Sequence, residues 1–374
     1  MHALVMTLAL ILGADTNAKA SAPSATAVTM TEVFVAGEGD YHTYRIPAVV
    51  QTVEGTILAF CEGRRDSRSD TGQIDTVLKH SSDNGATWSE LQVVSSQEGF
   101  TTGNPAPVVD RETGDIILLL TRNASTAHEK EILKGTAPRR TVWITRSQDD
   151  GLTWSAPREI TDQASREDWR WYATGPVHGI QLKSGRLVIP CNHSLSPDVA
   201  EWHSHVIYSD DHGATWNVGG VHEGMTNEST VVELADGRVY QNMRNYRKTF
   251  QRASAVSTDQ GETWQGFREE TTLVEPVCQA SVERYSTEAE TGVNRILFSN
   301  PADKKRVNMT VRMSLDETQT WPIARTLWEG PSAYSDLVTL ADGTIGCLFE
   351  RGDEHPYEKI TFARFPLAWL TDPS

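Results

Sequence analysis

Ser81-Ser82-Asp83-Asn84-Gly85-Ala86-Thr87-Trp88 reads S-x-D-x-G-x-T-W, and the same box returns at Ser147–Trp154 (SQDDGLTW), Ser209–Trp216 (SDDHGATW) and Ser257–Trp264 (STDQGETW). A fifth copy, Ser314–Trp321 (SLDETQTW), keeps the Ser, Asp, Thr and Trp but carries Thr318 in place of the glycine. Five fixed positions, one of them a Trp, do not recur this often by chance at ordinary residue usage, so the chain is a repeat. Asp and Gly two residues apart suit a tight turn, because the carboxylate accepts local backbone N–H bonds and Gly tolerates positive φ. A strand-like run precedes each box, as in Val77-Leu78-Lys79-His80 and Val142-Trp143-Ile144-Thr145. The Thr and Trp begin a returning strand whose indole can pack between neighbouring sheets. Each box is therefore expected to be a hairpin turn with a structural role.

A second kind of turn alternates with the boxes, at Ser184-Gly185, Asp236-Gly237 and Asp342-Gly343. One repeat then holds four strands. The box aspartates at 83, 149, 211, 259 and 316 recur on average every ~58 residues, so the chain has room for about six units. Four-stranded units repeated this often predict an all-β, six-bladed β-propeller, whose radial closure leaves few sheet edges open. Five boxes in six units imply a last blade completed by strands from both chain ends. With no Pro-, Gly- or Ser-rich linker inside the repeats, residues 23–374 are expected to form one domain.

Residues Ala3–Gly13 form an apolar run of signal-peptide length, too short to span a bilayer, followed by A-x-A sites at Ala18-Lys19-Ala20 and Ala20-Ser21-Ala22. Residues 1–22 are therefore expected to be a leader, and the protein to be exported to the periplasm or beyond. No later stretch suits membrane insertion. The 34 basic and 50 acidic side chains give a net charge of −16, which argues against nucleic acid and against an anionic membrane surface. The four cysteines, Cys61, Cys191, Cys278 and Cys347, are far apart, lack a C-x-x-C pair and sit in or beside apolar strands, so metal binding is not expected and free buried thiols are favoured.

Function must come from residues that break the repeat. These include Arg45 in Tyr44-Arg45-Ile46-Pro47, the charged loop Glu62–Asp70, Arg244 at the end of the strand Val239–Met243, and Arg306 before Asn308–Arg312. All lie where strands meet loops, the place where a propeller builds its funnel.

With the Y-R-I-P tetrapeptide and the boxes, the chain resembles the exo-α-sialidases (neuraminidases) of the bacterial and animal type over essentially everything after residue 30. The resemblance implies a six-bladed propeller and a retaining glycosidase that removes terminal sialic acid from glycoproteins, glycolipids or oligosaccharides, without cofactor or metal and as a monomer. It implies an arginine triad at Arg45, Arg244 and Arg306. A further Arg in the E-x-R string corresponds best to Arg64, with Arg65 a close competitor. The acid/base Asp corresponds better to Asp70 than to Asp66, the partner Glu to Glu228, the nucleophilic Tyr to Tyr334, and a Glu steadying the first Arg to Glu350.

The chemistry fits these residue types. Guanidinium forks grip carboxylates, and sialic acid carries one on its anomeric carbon. A neutral phenol avoids the repulsion a carboxylate nucleophile would meet there, and sialidases are a recognised exception that uses Tyr. With an ordinary pKa near ~10, Tyr334 needs a base, Glu228. Asp70, as an acid, is expected to have a raised pKa. His178 and His193 are further candidates for lining the sugar pocket. Two alternatives stand beside hydrolysis: a non-catalytic propeller that binds glycans or proteins, and a transferase of the trans-sialidase type.

Overall fold

A computed structural model describes residues 27–372. The leader expected at residues 1–22 lies outside the described residues. Antiparallel pairing groups the described strands into four-stranded blades, with one parallel bridge between Ile74 and Thr101 joining the first two and one long strand, Ile323–Thr339, shared by the last two. Blade one comprises Thr43–Gln51, Ile57–Arg64, Ile74–Ser81 and Gln92–Ser95, and blade two Phe100–Val109, Ile116–Ala124, Thr141–Ser147 and Arg158–Glu159. Blade three has an inner strand in two pieces, Trp171–Thr174 and Ile180–Gln181, then Leu187–Ser194, Trp202–Ser209 and Asn217–Val221. Blade four is Thr226–Glu233, Val239–Asn245, Gln251–Ser257 and Gln265–Val274.

Blade five is Ser281–Ser286, Arg295–Pro301, Val307–Ser314 and the first half of the long strand Ile323–Thr339. The second half of that strand opens blade six, followed by Thr344–Arg351 and Lys359–Pro366. The N-terminal strand Thr29–Val35 completes blade six by pairing with Lys359–Pro366. This closure by both ends explains why blade six has no box: its third and fourth strands are not consecutive in the chain.

Each inner strand touches the inner strands of the blades before and after it, and blade six touches blade one, so the six blades close into a β-propeller. The core fills the gaps between blades. Leu58, Phe60 and Leu78 of blade one meet Ile116, Leu118 and Leu120 of blade two, all fully buried. Each such side chain removed from water contributes about 1.5–3 kcal/mol.

Every box joins the third and fourth strands of its blade. In the first, Asp83 Oδ1 accepts from Ser81 Oγ (2.8 Å) and Thr87 N–H (2.9 Å), and Oδ2 accepts from Thr87 Oγ1 (2.6 Å). The same bonds recur around Asp149, Asp211, Asp259 and Asp316. Two successive left-handed residues make the turn, Asn84 (φ 57°) and Gly85 (φ 82°). The indoles pack onto the preceding blade: Trp88 meets Phe362 edge-on at 5.4 Å and Trp154 meets Phe60 at 5.7 Å.

In the fifth box Thr318 adopts φ 70° and donates its N–H to Ser314 Oγ (2.9 Å), as the glycines do. The turn is retained at the cost of a β-branched residue in left-handed backbone. Its buried hydroxyl has no partner among the described residues. All four cysteines are buried free thiols.

Candidate active site

The boxes and the Gly-containing turns between first and second strands lie on one rim, so the starts of inner strands and the ends of second strands meet on the other. There the inner strands share one irregularity. Their register slips between Arg45 and Ala48, Gly103 and Ala106, Thr226 and Ser229, and Ser332 and Ser335. Bulges re-aim side chains, and these four lie at Arg45, Asn104, Glu228 and Tyr334. Ile46 sits at φ 63°, an unusual conformation for a β-branched residue and the kind of strain found where a site dictates the backbone.

Fully buried Glu350 compensates that strain. Its Oε1 accepts from Arg45 Nε (2.7 Å) and Ile46 N–H (2.9 Å), while Oε2 accepts from Tyr334 N–H (3.0 Å). One carboxylate thus fixes both the first arginine and the strand carrying the tyrosine. Burial disfavours the Arg45 charge, but Glu350 more than offsets this and holds the guanidinium protonated. Arg45 lies 5.1 Å from the centre of the Tyr334 ring and Arg306 5.7 Å from it, and Arg244 Nη1 donates to the Tyr334 hydroxyl at 3.3 Å. Residues 45, 244 and 306, from blades one, four and five, therefore converge on one phenol.

The Tyr334 hydroxyl donates to Glu228 Oε1 in a short bond, and Glu228 Oε2 pairs with Arg244 Nη1 at 2.7 Å. Burial and the Glu228 charge push the phenol well above its ordinary pKa, while Arg244 and Arg306 pull it down. Across the cleft, Glu62 holds Arg64 through Nε (3.0 Å) and Nη2 (2.7 Å), and Arg64 Nη2 reaches Asp70 at 2.7 Å. Gly103 is required beside this pair, because a Cβ there would stand 2.2 Å from Glu62 Oε1.

The structure brings Arg45, Arg64, Asp70, Glu228, Arg244, Arg306 and Tyr334 around one cleft of about 340 Å³, with Glu350 directly behind it. Arg65 points elsewhere and pairs with Asp75 (2.6 Å), and Asp66 does not line the cleft. Two expectations are corrected. The Asp70 pKa is lowered, not raised: the cleft walls crowding the still-exposed carboxyl push it up, but the charges of Arg64 and Arg45 win. Neither histidine lines this cleft. His178 faces the opposite mouth of the channel, where it bonds Asp336 (2.8 Å) and is pushed up to about 10, its burial outweighed by the Asp336 charge. His193 is stacked on Trp169 with ring centres 3.4 Å apart.

Comparison with known proteins places this geometry. Residues 55–347 match the BNR repeat-like domain family. An exo-alpha-sialidase of Aspergillus fumigatus is 34% identical over 88% of this chain and 85% of its own length. A sialidase of Micromonospora viridifaciens is also 34% identical, over 91% of this chain, which spans 54% of that longer protein. This chain belongs to the sialidase family. Among solved structures, a Hadza microbial sialidase superposes with a TM-score of 0.81 at 31% identity, covering 90% of this chain and 68% of that one.

Membership of this glycoside hydrolase family does not by itself identify everything in the cleft. Sequence reasoning missed Glu129, Arg140, Asn192 and Tyr357, which line it as well. Tyr357 bridges two of the arginines: its ring lies 3.7 Å from Arg45 Cζ and its hydroxyl accepts from Arg306 Nη1. None of the four falls in a repeated pattern, and Tyr357 lies in the irregular loop after Thr344–Arg351. Only the folded chain brings them to the sugar-sized space.

Proposed function

We propose that this protein is a retaining exo-α-sialidase that hydrolyses terminal α-linked sialic acid from glycoproteins, glycolipids or oligosaccharides, with Tyr334 as nucleophile, Glu228 as its base and Asp70 as acid/base. The observation that carries this is the convergence on one phenol of three arginines and a hydrogen-bonded carboxylate. Arg45, Arg244 and Arg306 bind the substrate carboxylate, which sets the anomeric carbon beside the Tyr334 oxygen. Glu228 takes the phenolic proton as the oxygen attacks; Arg244 and Arg306 favour the developing phenolate. Asp70 protonates the leaving glycosidic oxygen, then deprotonates the water that releases the sugar with retained configuration. In the open cleft Asp70 is largely solvent-exposed and paired with Arg64. Bound substrate displaces water from the carboxyl and so raises its pKa toward the value an acid needs.

Release of a fluorophore from an α-sialoside, with NMR of the first-formed anomer, tests this reading. Retention, free sialic acid as product and loss of turnover in Tyr334→Phe are expected. An inverted product, or full activity in Tyr334→Phe, would falsify the tyrosine mechanism. An intramolecularly cyclised or transferred product would replace hydrolysis by transfer, and binding without turnover would leave a glycan-binding propeller.

A further inference from the structure

The three converging arginines are not held alike. Glu350 lies 2.7 Å from Arg45 Nε and Glu228 lies 2.7 Å from Arg244 Nη1, so each of these two has a carboxylate of the protein beside it. No carboxylate pairs with Arg306 among the described residues, where its guanidinium makes one hydrogen bond, from Nη1 to the Tyr357 hydroxyl. The nearby Cys278 thiol, packed with Tyr334, is pushed up by burial and brings no charge of its own. Arg306 is therefore oriented by the protein but not neutralised by it.

Tyr357 is placed to do this for two arginines at once. Blade six carries it in the loop after Thr344–Arg351 and lies between blade five, which supplies Arg306, and blade one, which supplies Arg45. While its hydroxyl accepts from Arg306, its ring lies 3.7 Å from Arg45 Cζ, a cation–π contact that backs the second guanidinium without an opposing charge. The loop itself is tightly tied. Glu358 accepts from the backbone N–H groups of Asp353 (3.0 Å), Glu354 (2.9 Å) and His355 (2.7 Å), and a Cβ at Gly352 would stand 1.9 Å from the His355 carbonyl oxygen. The Tyr357 N–H donates to His355 Nδ1 (3.2 Å), and the two rings meet edge-on with centres 4.6 Å apart.

An arginine with no partner explores many rotamers, and ordering it when a ligand arrives costs affinity. A carboxylate partner would order it, but would also cancel its charge and repel an incoming carboxylate. A phenol oxygen accepts a hydrogen bond while staying neutral, and the side chain that presents it is stiff. Resting on the hydrolase reading, we propose that Tyr357 is a positioning residue of the carboxylate grip: its neutral hydroxyl fixes Arg306, and its ring backs Arg45, so that the grip is preorganised with its charge intact.

Tyr357→Phe tests it, since the ring over Arg45 is kept and only the acceptor is lost. In cleavage of a fluorogenic α-sialoside the defect should fall chiefly on KM, which rises at least about fivefold, with a smaller change in kcat. NMR titration with free sialic acid and with its C1 carboxamide separates positioning from a general structural defect. The variant should bind the acid at least about fivefold more weakly than wild type does and the uncharged amide by less than about twofold, because only the acid uses the charge of Arg306. No loss for the acid, or an equal loss for both ligands, overturns the proposal. A wild type that binds the acid in this pattern but cleaves no sialoside loses the hydrolase reading alone. Crystal structures of wild type and variant give a readout that needs no sugar. The Arg306 guanidinium should leave its place beside the Tyr334 ring in Tyr357→Phe; an Arg306 that stays there overturns the proposal, whatever the protein cleaves.

Discussion

The two rims of the propeller are built from the same hairpins by opposite means. On the box rim, the bonds that define each turn run between residues four apart or fewer, and one pattern serves five blades. On the cleft rim, Arg45 meets Glu350 across 305 residues and Tyr334 meets Glu228 across 106, and no blade repeats another. The box rim is redundant, so losing one box leaves the others closed. The cleft rim has no repeated part: a single carboxylate, Glu350, bonds Arg45, Ile46 and the Tyr334 backbone at once.

Substitutions on the two rims should therefore behave differently. Removing the phenolic oxygen in Tyr334→Phe should lower kcat by about 10²–10⁴-fold or more, the range typical of losing a catalytic group, while melting and circular dichroism stay near wild type. Glu350→Ala should strike both activity and stability. It leaves the Arg45 guanidinium buried without its counter-ion, a change that costs about 3–5 kcal/mol. A melting curve that does not move would show the ring to be held elsewhere.

The pH dependence offers a finer probe. Arg64 depresses the Asp70 pKa, so the protonated acid is lost early as pH rises and activity should favour acid pH. Arg64→Met removes that charge, makes protonation easier and should move the alkaline limb of kcat/KM to higher pH. A limb that stays in place would exclude Asp70 as the titrating acid.

Effects at the boxes should be smaller and confined to stability. Asp83 titrates at about 2, lowered chiefly by the hydrogen bond from the Thr87 hydroxyl. Its contribution is present above about pH 4, the ordinary aspartate range, and fades as pH falls through 2. Asp83→Ala should lower the melting point at neutral pH by a few degrees with kcat unchanged, and the gap from wild type should narrow in strong acid. The least change expected is a gain. Thr318→Gly relieves left-handed strain of about 1 kcal/mol and removes an unpartnered hydroxyl, so the variant should melt slightly higher. A lower melting point would show that the Thr318 methyl packs usefully, in contrast to Gly85, where a Cβ would stand 2.3 Å from Phe362.

Much of the fold was legible because its signals are local. A carboxylate, a left-handed residue and a hydroxyl within eight positions specify a turn wherever they occur, and counting the turns leads to a propeller closed by both chain ends. Arg45, Glu228 and Tyr334 were legible through family resemblance, yet their direction depends on bulges that no spacing rule reveals. His178 shows the limit. It looked like a pocket residue, but the inner strand carries it past the cleft to the far mouth of the channel, where Asp336 captures it.

The sequence by itself determined the repeat, the hairpin turns and the residue types able to grip an acidic sugar, because each depends on neighbours within a few bonds of the chain. Only the tertiary structure decided that Asp70 is held ionised by Arg64, that Arg65 turns away, and that Arg140 and Asn192 join the lining of the cleft. Those outcomes depend on charges and unpaired donors arriving from different blades, and electrostatics and desolvation act across space without regard to separation along the chain.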